Sequence, residues 1–143
     1  MAKYVDGYIL VVPKDSLPAY KKMAQKGMKA WKKYGALDYF ECVGDDMSPE
    51  WASIPFPAAV KAKPNEVVIF SFIVFKSRAH RDSVNAKVMK DPIMNDPKYK
   101  EKPMPFDLKR MAYGGFKAIF RIRNRRLTLP GTKRPNVHTT EFF

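Results

Sequence analysis

The chain has 143 residues, of which 45% are hydrophobic and 29% charged, a length for one domain and a balance that excludes a disordered or fibrous protein. Its single cysteine, Cys42, excludes an intrachain disulfide, and its longest apolar run, from Val67 to Phe75, is far short of the roughly 20 residues a membrane-spanning helix needs. The net charge of +13 favours anionic partners (nucleic acid, anionic lipid or acidic ligands) without choosing among them.

No signal-peptide pattern stands at the N-terminus, so a cytoplasmic protein with no membrane partner is expected. Residues 4–13, YVDGYILVVP, are β-branched and aromatic and close on a proline, which predicts a first strand. From an N-cap at Asp15 or Ser16 to a stop at Gly35, the spacing of Leu17, Tyr20, Ala24, Met28 and Trp31 predicts an amphipathic helix with lysines outward. ALDYFECVGDDM then alternates, with Leu37, Tyr39, Glu41 and Val43 on one side and Asp38, Phe40 and Cys42 on the other, a short strand. Four prolines mark residues 45–66 as a loop.

EVVIFSFIVF is apolar on both alternating sets, so this third strand expects cover on both faces. Ser77 is the predicted N-cap of a second helix, RAHRDSVNAKVMK, which must end near Asp91 because Pro92 follows. Residues 91–108 form a second proline-rich loop. KRMAYGGFKAIFRI reads as the last strand, with Gly114 and Gly115 marking a bulge or a close backbone approach.

The order β-α-β-β-α-β predicts an α+β, ferredoxin-like domain over residues 1–121, a four-stranded antiparallel sheet with both helices on one face. The open face, carrying half of an apolar third strand, is expected to pack on a second copy and make a homodimer.

YVDGY, YGALDYFECVGDD, FKSRAHRDSVNAKVMKDP and MPFDLKRMAYGGF occur together and in this order. In these motifs the chain resembles the YbaA-like family of small bacterial proteins, a domain of unknown function within the dimeric α/β-barrel superfamily, over about Met1 to Phe120. The resemblance implies the same fold and dimer, and no established activity. Related superfamily members include cofactor-free monooxygenases and haem-degrading enzymes with sites between sheet and helices, an analogy at the level of fold. Residues 122–143 continue past the usual end of such chains. From Arg121 onward there are six Lys or Arg and one acidic residue, and no regular pattern, which predicts an irregular or disordered basic extension or an arm for RNA or DNA.

His80 lies in the first turn of the second helix on a row with Val84 and Val88. It is the catalytic candidate, a general base if it faces a cavity and a packed histidine otherwise. The only other histidine, His138, is in the extension, so no metal site is expected. Phosphate-loop and nucleophile motifs are missing, and no cofactor is expected. Arg78 and Asp82 have the spacing of a surface ion pair, and Cys42 reads as a small buried hydrophobe.

Asp6 and Glu41 interrupt apolar strands and need partners, either across the dimer interface or, for Asp6, from Arg110 in the neighbouring last strand. Asp6, Tyr8, Trp31, Glu41, Asn85, Arg110 and Tyr113 are the ligand-binding candidates, with Trp31 as an aromatic wall or as core. The expected protein is a homodimer that binds a small organic molecule in the sheet–helix cleft, with cofactor-free monooxygenase-like turnover left open. The competing readings are RNA binding through the basic surface and extension, and a structural dimer without a ligand.

Overall fold

A computed structural model describes residues 2–100, 102–124 and 140–142. Strand β1 (Tyr4–Pro13) is followed by helix α1 (Leu17–Lys33), strand β2 (Asp38–Val43), a short helix α2 (Phe56–Ala59), strand β3 (Glu66–Phe75) and helix α3 (Arg78–Lys90). After these come a short helix α4 (Pro97–Lys100), strand β4 (Ala112–Lys117), and two short strands, β5 (Ile122–Asn124) and β6 (Thr140–Phe142). The main sheet has the order β2-β3-β1-β4 with every pair antiparallel, the ferredoxin-like arrangement.

Alternation along the strands divides the sheet's residues between two faces. Ile73 and Phe75 of β3 pack with Ala30 and Trp31 of α1 and with Val84 and Val88 of α3. Leu10 and Val12 of β1 join Ile69 and Tyr20 in a second cluster on the same face. Both long helices therefore cover one side. Ser77 caps α3 as its position predicts, accepting from the His80 amide at 3.1 Å.

The opposite face is partly covered by the chain itself. Val60, with Met47 and Ala62 beside it, packs on Val11 and Val68, so the proline-rich excursion supplies some of the cover that β3 needs. Further along, Phe40 stacks on Phe72 with ring centroids 4.7 Å apart, and Phe70 tilts against Phe72 at 5.5 Å. Phe40, Phe70 and Phe116 remain 46%, 43% and 61% exposed. Cys42 lies on this face and is exposed, so it is not the buried hydrophobe its strand position predicts.

The last strand begins later than its sequence predicts. Asp107 accepts from the Lys109 amide at 2.9 Å and caps a 3₁₀ turn over Leu108–Arg110, which removes Arg110 from the sheet. Gly114 and Gly115 make no bulge, since Gly7, Asp6, Val5 and Tyr4 oppose Gly114, Gly115, Phe116 and Lys117 in unbroken register. Their smallness is used by rings instead: a Cβ on Gly115 would collide with the Tyr4 phenol. In the C-terminal extension, Ile122 pairs opposite Phe142 and Asn124 opposite Thr140, so its described ends are strands despite their irregular pattern. Residues 125–139, where the rest of that expectation falls, lie outside the described residues.

Candidate ligand cleft

The register places a polar row across the helix-covered face. Glu41 of β2 opposes Ser71 of β3, Ser71 opposes Tyr8 of β1, and Tyr8 opposes Tyr113 of β4. Above the first three lies a cavity of about 490 Å³, walled by Met23, Ala24 and Trp31 of α1 and closed by Met94, Met104 and Phe106 from the segment after α3. Such a volume suits a small organic molecule.

Glu41 is the centre of the cavity's polar chemistry. Its Oε2 accepts from the Tyr20 hydroxyl at 2.7 Å, and its Oε1 accepts from the Tyr39 hydroxyl at 2.6 Å and from Ser71 Oγ at 3.2 Å. Burial, reinforced by a hydrogen bond to the carboxylate, pushes the Tyr20 phenol far above its usual range. Burial and the charge of Glu41 do the same to Tyr39. Tyr8 is raised by burial first and by the charge of Asp6 second. All three phenols therefore keep their protons at any physiological pH. Sequence reasoning missed Tyr20, Tyr39 and Ser71 as site residues, although alternation had put Tyr39 on the same side as Glu41.

Asp6 belongs to a separate, buried network behind the cavity wall. Its Oδ1 accepts from Arg81 Nη1 at 2.7 Å and from the Tyr113 hydroxyl at 3.0 Å, and its Oδ2 accepts from Asn85 Nδ2 at 3.2 Å. Asp6 is fully buried while Arg81 is 13% exposed, and the Arg81 guanidinium lies over the Tyr4 ring at 4.7 Å. Asp6 thus needs no partner across an interface, and its cation is Arg81 rather than Arg110. Arg110 stands apart, placing Nη1 and Nη2 on the two Glu66 oxygens at 2.8 and 2.7 Å and Nε on Asp107 at 2.8 Å.

The remaining candidates divide between the two places. Tyr8 and Trp31 line the cavity together with Glu41. Trp31 also packs into the core. Asn85 and Tyr113 belong to the Asp6 network, with Tyr113 reaching towards the cavity through its ring contact with Tyr8, 4.9 Å between centroids.

His80 does not line the cavity. Its Nδ1 accepts from the Lys76 amide at 3.0 Å and its ring meets Phe75 edge-on, the packed alternative of the two. Asp82 pairs with Arg81, Nε to Oδ1 at 2.7 Å, so the expected pair with Arg78 is replaced by the adjacent arginine. Among the described residues there is no cluster of metal-binding side chains, and no helix long and apolar enough to cross a membrane.

Comparison with known proteins gives the lineage. The family described as "Protein of unknown function (DUF1428)" matches residues 3–108. YbaA of Escherichia coli strain K12, itself uncharacterized, is 46% identical over 117 residues, covering 82% of this chain and 97% of YbaA, and YbaA of Shigella flexneri matches equally. A crystal structure of a dimeric ferredoxin-like protein from an uncultured marine organism superposes with a TM-score of 0.54 at 13% identity, covering 84% of this chain and 98% of that one. That likeness bears on the fold alone, whereas the family match and the shared identity establish descent: the chain belongs to the DUF1428 family, alongside YbaA.

Proposed function

We propose that this chain binds a small, largely apolar organic molecule in the cleft between α1 and the sheet. The observation that carries the reading is a carboxylate, Glu41, held by three hydroxyls inside a cavity otherwise walled by methionine and aromatic side chains. Glu41 is exposed, yet both its oxygens are turned onto hydroxyls lining a space that a ligand fits, not simply into solvent. If the cleft also supports turnover, as in cofactor-free monooxygenases, the first requirement is a base that removes a proton from the bound molecule. Glu41 fits that role better than His80, because it lines the cavity while the phenols around it stay protonated.

The working unit is a homodimer joined through the open sheet face around Phe40, Phe72 and Phe116. Support comes from the exposure of Phe40 and Phe116, the stacking of Phe40 on Phe72, and the dimeric state in the description of the ferredoxin-like neighbour. The net charge of +13 favours RNA binding as a second reading.

A thermal-shift screen with aromatic, quinone and haem-type compounds tests the cleft. Ligands should raise the melting temperature of the native chain but not of Ala24→Trp, whose indole would fill the cavity. The reading fails if no compound stabilises the native chain, or if the filled variant responds equally. RNA affinity that falls steeply with salt, unaffected by Ala24→Trp, would favour the second reading instead.

A further inference from the structure

The polar end of the cavity carries a carboxylate, Glu41, that forms no ion pair among the described residues. Five ion pairs join described residues, and none includes Glu41. Its three contacts come from neutral hydroxyls, whose dipoles stabilise the carboxylate without cancelling its charge. Asp6, Glu66 and Asp91, all more buried than Glu41, each have an Arg or Lys partner.

The hydrogen-bond inventory sharpens the point. The hydroxyls of Tyr20, Tyr39 and Ser71 have each committed their one proton to Glu41, so towards a ligand they present lone pairs. A carboxylate has about four acceptor positions, of which three are filled here. The neutral Tyr8 hydroxyl stands beside them in the same row. An anionic head group would therefore meet the Glu41 charge and three spent donors, whereas a cationic one would meet acceptors.

The surrounding rings act in the same sense. Trp31 and Tyr39, whose ring centroids are 6.0 Å apart, both line the cavity, and an aromatic face attracts a cation that comes within about 6 Å of it. Lys26 and Lys102 also line the cavity and, like Glu41, are exposed and screened by solvent and salt, but neither forms an ion pair with Glu41, whose hydrogen bonds all come from hydroxyls.

We propose that the cleft's ligand carries a protonated amine or another organic cation at its polar end, seated against Glu41, with an apolar body lying along Trp31 and the methionines. This rests on the reading of the cleft as a ligand site and adds the sign of the ligand's charge. The chain's own charge makes the inference discriminating: a net +13 repels cations and attracts anions without specificity, so preference for an amine has to originate locally.

Isothermal titration calorimetry with 4-phenylbutylamine, 4-phenylbutanol and 4-phenylbutanoic acid, in about 0.15 M salt at neutral pH, varies the head group on one skeleton. The amine should bind at least about tenfold tighter than the alcohol, with the acid weakest. Glu41→Gln should weaken the amine by at least about tenfold and remove most of its lead over the alcohol. If the alcohol or the acid binds as well as the amine, or Glu41→Gln leaves amine affinity intact, the charge inference is overturned while the cleft remains a ligand site. If none of the three binds, both readings fall.

Discussion

The Trp31 indole donates from Nε1 to Asn85 Oδ1 at 2.9 Å, while the amide of the same asparagine donates to Asp6 Oδ2 at 3.2 Å. One side chain on α3 thereby ties the aromatic wall of the cleft to a fully buried carboxylate in the central strand. Asn85→Leu would leave an indole N–H and a carboxylate oxygen each one partner short. It should cost about 2–4 kcal/mol, read as a lower urea midpoint. It should also loosen Trp31, visible as red-shifted fluorescence in the native state.

Arg81 is the only cation paired with Asp6 among the described residues, and the pair sits where water does not reach the carboxylate. Arg81→Met should therefore destabilise by about 3–5 kcal/mol, because an uncompensated charge stays buried. Adding Asp6→Asn to that variant removes the charge and should recover part of the loss, so a double-mutant cycle will show strong coupling.

His80 should act on stability through pH. Burial, and after it the charges of Lys76, Lys87 and Lys3, hold its imidazole below the ordinary value of 6.5. The unfolded chain then binds the proton more readily than the native one. Its contribution is thus fully present above pH 6.5 and is lost as pH falls through that value towards the lower native pKa. Protonation also removes the Nδ1 acceptor from the Lys76 amide. The melting-temperature difference between the native chain and His80→Phe should shift towards the variant on acidification; a constant difference would contradict this.

The Arg110 clamp predicts a second, more acidic window. Its paired hydrogen bonds, and after them the Lys63 amide, hold the Glu66 carboxyl down at about 2 against an ordinary 4.5. A depressed carboxyl stabilises the fold above its unfolded value and ceases to do so as pH falls through the native one. The stability gap between the native chain and Arg110→Ala should be widest above pH 4.5 and should close between there and about 2. Acid titration followed by circular dichroism measures it.

If the open sheet face makes the dimer, a charge at its centre should break it. Phe72→Asp should halve the mass measured by light scattering, from two chains to one, while the far-ultraviolet spectrum is kept. A native chain that already runs as one copy would remove the dimer from the proposed function.

Most of the fold was legible because it is written in local periods. The apolar row from Tyr20 to Trp31, the alternation around Glu41 and the Ser77 cap each specify their element without reference to distant residues. Arg110 was misplaced because KRM leads without a break into the strand residues Ala112 and Tyr113, while Asp107 just before it caps a turn. The site was less legible, since it depends on which side chains of α1 reach which strand residues. Tyr20 meets Glu41 only through packing across 21 residues, from α1 onto β2. Arg81 did leave a signal: it stands four before Asn85, and both reach Asp6.

The strand made first is also the one in the middle of the sheet. β1 has no local partner: its neighbours begin at Glu66 on one side and Ala112 on the other. A nascent chain that has emerged only as far as α1 carries β1 without its sheet partners, because β3 and β4 come later in the chain. Sheet formation must wait for long loops to be closed, which makes folding slow for a chain of this size and leaves its N-terminal third exposed to other chains during synthesis.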